Sequence, residues 1–321
     1  MKKWISCILL VVMLGMAMMG AAGAETYEKP RFLAIGTAAA GAAFYPIGIA
    51  MADIITNNLG IQTTAQVTGG AIENLTLVQN NTVDLGITMG NSALEAYEGI
   101  GEGIEAPYTN INGLLGGLSK GYFQVVVLDS SPIQTMADLK GKKVAMGAPG
   151  NGGISVARDV WAEYGFGLDD INASYISYSD GISSLTDGNV DAVVVQAAAP
   201  TAAVQELAAS SRAWRLIPIE EEIGQKLTEK YNYFGCDELG AGVYNTAAGT
   251  LSVYIKTMVI IRADLSEELV YDLTKTLFDN LSAIQESHPA AKGFNAEDAV
   301  LSPIPLHPGA ERYYKEIGKI Q

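Results

Sequence analysis

The sequence is poor in the residues that carry most protein chemistry. Its 321 residues include two cysteines, Cys7 and Cys236, and two histidines, His288 and His307. Cys7 lies in an apolar leader, so the mature chain holds one thiol, which can form neither an internal disulfide nor a redox or metal cluster. His288 precedes Pro289 near an expected helix end, and His307 precedes Pro308 in a turn. Both read as caps or surface residues. Neither sits in H-E-x-x-H, and G-x-x-x-x-G-K-[ST] does not occur. A catalytic account would have to rest on carboxylates alone. Positive charge is also scarce: 20 Lys and Arg face 35 Asp and Glu, a formal net charge of −15. Such a chain does not seek nucleic acid or anionic lipid, and any acidic solute must be held by local groups against the field of the whole molecule.

The N-terminus carries an address. Lys2 and Lys3 precede the apolar run ILLVVMLGMAMMG, and Ala22-Gly23-Ala24 resembles a signal-peptidase site. Residues 1–24 are predicted to be a cleaved signal peptide, which implies a periplasmic or extracytoplasmic location. A retained anchor fits less well, because the run is short, rich in Gly and Ala, and followed by no basic stop signal. Cleavage removes two lysines and no acid, taking the charge from −15 to −17. At 49% hydrophobic, the mature length of nearly 300 residues suggests two lobes rather than one.

Strand and helix patterns alternate along the mature chain. RFLAIG predicts a buried strand. Residues 46–58 predict a helix, with Ile47, Ala50, Met51, Ile54 and Ile55 on one face and Pro46 at its first position. QTTAQV is a strand, AIENLTLVQNN a helix with Ile72, Leu75 and Val78 inward, and VDLGIT a strand. A second unit follows with FQVVVL, KVAMG, a helix over 154–165, YISYSD, a helix around GISSLTDG, and VDAVVVQ. This alternation predicts an α/β fold with a mainly parallel sheet. The long strand LSVYIKTMVIIR returns at 251–262, and a helix follows with Leu269, Leu273, Leu277 and Leu281 at i+4 spacing. The strands near 122–128 and 253–261 are expected to cross between the lobes. That places residues 25–122 plus 256–321 in lobe one and 123–255 in an inserted lobe two.

Three loops of small residues each join a strand to a helix: GTAAAGAAFYP at 36–46, TGGA at 68–71, and GAPGNGG at 147–153. The first N–H groups of a helix lack intrahelical partners and carry partial positive charge. Small residues let a carboxylate or phosphate approach those groups with no lysine or arginine present. Glycine after a strand also serves ordinary turns, but three such loops at the ends of strands in one sheet point to a shared crevice. GAPGNGG is not a dinucleotide fingerprint, since the register from Gly150 reaches Ser155 where Gly or Ala is needed. The aromatic cluster YNYFG at 231–235, with Tyr254, fits core filling as well as a cleft wall.

Ordered stretches along nearly the whole mature chain resemble the TAXI family, the receptors of tripartite ATP-independent periplasmic (TRAP) transporters. They include FYPIG at 44–48, VTGGAIENLTLV at 67–78, LEAYEG at 94–99, DLKGKKVAMGAPGNG at 138–152, DGNVDAVVV at 187–195, PTAAVQELA at 200–208, RADLSEELVYDLTKTLFDN at 262–280, HPAAKGF at 288–294 and PLHPGAERYYKE at 305–316. The resemblance implies a type II periplasmic-binding-protein-like fold, two α/β lobes joined by two hinge strands. It also implies a small organic acid or acidic amino acid as ligand, and the membrane permease subunits of a TRAP transporter as partners. Phe44 and Tyr45 would form a wall beside Ala43, while Gly69, Gly70 and Ala71 would give N–H donors beside Thr68. Asn91 and Ser92 would lie nearby, Pro149, Gly150, Asn151, Gly152 and Gly153 would bind from lobe two, and Gln196 and Ala197 would face them. Departures occur at Ala40, Ala42 and Ala43, where relatives carry more hydroxyls, at Met89-Gly90-Asn91, and in DELGAGVY. The expectation is an exported, monomeric, non-enzymatic receptor for a carboxylate-bearing solute, with no cofactor and no metal. An extracytoplasmic enzyme acting on a small acid and a sensory receptor are the alternatives.

Overall fold

A computed structural model describes residues 27–40, 42–100, 104–149, 151–231 and 233–321. The predicted leader, residues 1–24, lies outside them, as does Gly150. Among the described residues no helix is long and apolar enough to cross a membrane. The first half of the chain runs β1 (Phe32–Gly36), α1 (Phe44–Leu59), β2 (Gln62–Gln66), α2 (Ala71–Gln79), β3 (Leu85–Met89), α3 (Gly90–Glu98), β4 (Ile111–Leu115) and β5 (Lys120–Leu128). There follow β6 (Lys143–Ala145), α4 (Gly153–Glu163), β7 (Asn172–Ser174), α5 (Tyr178–Thr186), β8 (Ala192–Ala198), α6 (Ala202–Ala209), β9 (Trp214–Ile217), α7 (Glu221–Lys230) and β10 (Phe234–Leu239). The chain closes with β11 (Thr250–Arg262), α8 (Glu267–Asp279), α9 (Leu281–Ser287), α10 (Ala296–Ala299) and α11 (Pro308–Glu316).

All eleven strands join one sheet in the order β2-β1-β3-β11-β5-β8-β6-β7, with β4 and β10 also on β11 and β9 on β5. The α/β class is as expected, but the mainly parallel sheet is not. Parallel pairing is confined to the flanking triplets β2-β1-β3 and β8-β6-β7, and every pairing made by β11 or β5 is antiparallel. The two long strands run against their neighbours, so the helix connections that enforce parallel order act only within each triplet.

β11 changes partners along its length. Residues 257–261 pair with β3, residues 254–256 with β5, and residues 250–255 with β10. At the change of partner, Ser119 and Thr257 fasten the two crossing strands. Thr257 Oγ1 accepts the Ser119 N–H at 2.9 Å, the two hydroxyls lie 2.8 Å apart, and the Thr257 N–H returns to the Ser119 carbonyl at 2.9 Å.

Both triplets are buried on two faces. On one side of β1 and β3, Ile47, Met51 and Ile55 of α1 pack with Leu269, Leu273 and Leu277 of α8 and Tyr313 and Tyr314 of α11. Leu75 and Val78 of α2 cover the other side with Ala93 and Ala96 of α3. In the second half Val156, Val160 and Trp161 of α4 meet Val125 and Val127, while Ile182 and Leu185 of α5 meet Val193 and Val195. The repeated leucines do not make one long helix: α8 ends at Asp279, Asn280 is its C-cap, and Leu281 opens α9. YISYSD is not a strand either. β7 ends at Ser174, and Ser177 caps α5 by accepting the Asp180 N–H.

α8 and α11 approach closely because Gly309 has no side chain. A Cβ there would lie 2.3 Å from the Glu267 carbonyl oxygen and 2.6 Å from the Tyr271 nitrogen, both backbone atoms of α8. Gly309→Ala is therefore expected to cost about 1–3 kcal/mol of stability. In urea unfolding this appears as a lower midpoint with an unchanged slope.

Candidate functional site

The small-residue loops do meet. A cavity of about 180 Å³ lies where the ends of β1, β3 and β8 face one another across Ser119, Gly121 and Thr257. From the first half come Ala38, Ala42, Ala43, Phe44, Gly69, Gly70, Ala71 and Met89, and from the second Asn151, Gly152, Tyr178, Gln196, Ala197 and Ala198. Nine of the sixteen residues expected from the sequence thus share one crevice: Ala43, Phe44, Gly69, Gly70, Ala71, Asn151, Gly152, Gln196 and Ala197. Tyr45, Thr68, Asn91, Ser92, Pro149 and Gly153 are not among the lining residues, and Gly150 lies outside the described ones. No lining residue carries a charge.

One fully buried side chain positions the first-half loops. The Asn74 amide, on α2, donates to the Thr37 carbonyl at 2.6 Å and to the Ile87 carbonyl at 2.7 Å. Its Oδ1 accepts the Thr68 hydroxyl at 2.8 Å. The end of β1, the body of β3 and the TGGA loop are thereby held to one helix. The approach needs glycine: a Cβ at Gly36 would meet Asn74 Oδ1 at 2.6 Å, and one at Gly86 would meet Asn74 Cβ at 3.1 Å.

The backbone donors expected to bind a ligand are partly committed already. The Gly69 N–H donates to the Glu73 carboxylate, the Gly70 N–H to Thr68 Oγ1 at 3.2 Å, and the Gly153 N–H to Asn151 Oδ1 at 2.6 Å. Asn151 Nδ2 donates to the Met146 carbonyl at 3.2 Å, so this side chain closes its own turn. Among the described residues the Ala71 N–H at the start of α2 has no partner, while Tyr45 donates to the Ala42 carbonyl and Pro46 has no N–H.

Across from them, Tyr178 and Gln196 form a polar corner. The Tyr178 hydroxyl donates to the Gln196 carbonyl at 2.9 Å and receives the Gln196 N–H at 3.2 Å, and burial pushes the phenol above its ordinary range. Gln196 Nε2 donates to the Gly121 carbonyl at 2.6 Å. Tyr178, Ser119, Gly121 and Thr257 were not selected from the sequence. Ser119 lay just before one of the two strands read as crossovers and Thr257 within the other, which was the available signal.

Asn91 and Ser92 serve the neighbouring contact between α3 and α4. Asn91 Nδ2 donates to Ser155 Oγ at 2.8 Å, and one turn further Arg158 Nη2 meets Glu95 Oε1 at 2.6 Å. Arg158 Nε also lies 3.5 Å from Asp159, which accepts the Tyr233 hydroxyl at 3.2 Å. Burial raises the Glu95 and Asp159 carboxyls above the ordinary range, and Arg158 only partly offsets it.

The sequence profile of the NMT1-like family matches residues 35–318, and the chain belongs to that family. Among solved structures it is similar to the periplasmic aliphatic sulphonate binding protein SsuA of Escherichia coli. The two are 17% identical over 81% of this chain and 73% of that one, with a TM-score of 0.51. It is also similar to PhnD1 of Prochlorococcus marinus (MIT 9301) in complex with methylphosphonate. That match is 14% identical over 91% of this chain and all of the other, with a TM-score of 0.53. At such identities the likeness speaks for the fold, which is that of periplasmic binding proteins.

Two outcomes follow. Asn74→Leu is expected to cost about 1–3 kcal/mol for each carbonyl left without its donor. Amide hydrogen exchange should then quicken over 37–44 and 68–71, ahead of the rest of the first half. For Glu95 and Asp159 the folded carboxyls bind protons more tightly than the unfolded ones. Their contribution to stability is fullest below the ordinary carboxylate range and falls as pH rises through the raised values. In unfolding free energies from about pH 4 upward, Arg158→Met should steepen that fall and Glu95→Gln should flatten it.

Proposed function

With that family membership as the premise, we propose that the protein is an extracytoplasmic solute-binding receptor of the TAXI type. It holds a small carboxylate-bearing solute between two lobes and delivers it to the permease of a TRAP transporter. The observation that carries this reading is the convergence of loops from both halves of the sheet on one uncharged cavity beside the Ser119–Thr257 crossing. Residues 25–122 with 256–321 form one lobe and 123–255 the other. A solute that touches both walls favours the closed arrangement, because only there are both sets of contacts made.

The carboxylate is assigned to the first-turn N–H of α2 at Ala71, where the helix dipole favours negative charge. An enzyme acting on a small acid is the weaker reading. The lining has no carboxylate, imidazole, thiol or amine to move a proton. A sensory receptor would use the same clamp and differs only in its partner.

The test is isothermal titration of ligand-stripped protein against small organic acids, amino acids and the corresponding amides. One-to-one binding of an acid, lost in its amide and accompanied by no turnover, is the expected result. Binding of the amides as tightly as the acids would remove the carboxylate from the reading.

A further inference from the structure

Away from the long strands β5 and β11, two side-chain hydrogen bonds join the halves among the described residues, and both run between α3 and α4. The buried Asn91 amide donates to Ser155 Oγ at 2.8 Å. Ser155 Oγ donates in turn to the Gly152 carbonyl at 3.1 Å, and Gly152 lines the cavity. A first-half helix is thereby tied through one hydroxyl to the second-half loop at the cavity. One turn further along both helices, Arg158 Nη2 meets Glu95 Oε1 at 2.6 Å.

The surfaces beneath these bonds fit closely. A Cβ on Gly152 would lie 2.7 Å from Met89 Sδ and 3.1 Å from Ser92 Oγ, so glycine lets the second-half loop rest on the start of α3. Leu94 of α3 packs against the apolar cluster of the second half, and Ala71 and Met89 are buried members of it. The ion pair is unequal: the Glu95 side chain is 12% exposed and that of Arg158 46%. Arg158 Nε also lies 3.5 Å from Asp159 in its own half. Parting the helices would leave the guanidinium that partner and return Glu95 to water. With the helices together Glu95 depends on Arg158, because a buried carboxylate without a cation is costly.

We propose that the contact between α3 and α4 is a clasp that holds the two lobes closed over the cavity. Asn91, Glu95, Ser155 and Arg158 are positioning residues: none lines the cavity, and their bonds across the cleft form only when the lobes are together. The clasp stabilises the closed arrangement with or without solute, and so raises the fraction of chains competent to hold one. This inference rests on the two-lobed receptor reading given above and names what sets its closure apart from the solute itself.

Double electron–electron resonance on the ligand-stripped protein tests it without knowledge of the solute. Spin labels are placed at Asp53→Cys on α1 and Glu206→Cys on α6, both exposed, in a Cys236→Ser background. Arg158→Met should lower the ratio of short to long distances at least about tenfold, because closing then buries Glu95 alone. Adding Glu95→Gln to Arg158→Met should bring the ratio back to within about threefold of the parent, since no lone charge remains. A contact that served fold stability alone would lower the urea midpoint of Arg158→Met and leave its distances unmoved, which overturns the clasp. No recovery in the double variant overturns it as well. In either case a parent distance that shortens with an acid of the titration above leaves the receptor reading standing. A single distance that neither variant moves, and that L-glutamate, 2-oxoglutarate and the other acids and amino acids of that titration leave unmoved, overturns both.

Discussion

The Asn74 amide makes three hydrogen bonds, and each ends on a different segment of the cleft wall. Two carbonyl oxygens and one hydroxyl converge on a side chain with no exposure at all. Buried polar groups of this kind are expensive when unpaired and specific when fully paired. Here pairing is complete only if the end of β1, the middle of β3 and the TGGA loop sit at one place relative to α2. The crevice therefore owes its shape to a buried polar contact within a mostly apolar layer. Gly36 and Gly86 are the residues that make room for it.

The same economy explains the chemistry of the cavity. The loops are rich in backbone N–H groups, yet several are satisfied by side chains of their own neighbourhood, among them Glu73, Thr68 and Asn151. These bonds fix the loops and withdraw donors from any ligand. What is left among the described residues is helix-start N–H beside a largely apolar wall. A site built this way discriminates by the few polar groups left unpaired, because the wrong solute leaves them so.

Much of this was legible in the order of residues. The spacing of Ile47, Met51 and Ile55 marked the inward face of α1, and the three small-residue loops marked the cavity. Strand direction was not legible. Nothing local in LSVYIKTMVIIR says that it runs antiparallel to β3 and β5 and changes partner within its own length. Asn74 was hidden for a related reason: it lies between Ile72 and Leu75 on a helix whose pattern was read for its apolar positions, and its partners lie on three different segments, 6, 13 and 37 residues away. The commitments of Gly69, Gly70 and Gly153 depend on side-chain geometry within the turns, which glycine spacing does not reveal. The leucine spacing across 269–281 misled because Asn280 ends one helix where the period continues into the next.

The central claim is that one solute bridges loops from both halves of the sheet. Hydrogen–deuterium exchange with and without bound solute tests it most directly. The account predicts that residues 37–45, 68–72, 151–155 and 196–198 become protected together, at one solute per chain. Protection confined to one half, or found at the outer groove around Arg212, Trp214 and Tyr244 instead, would contradict it.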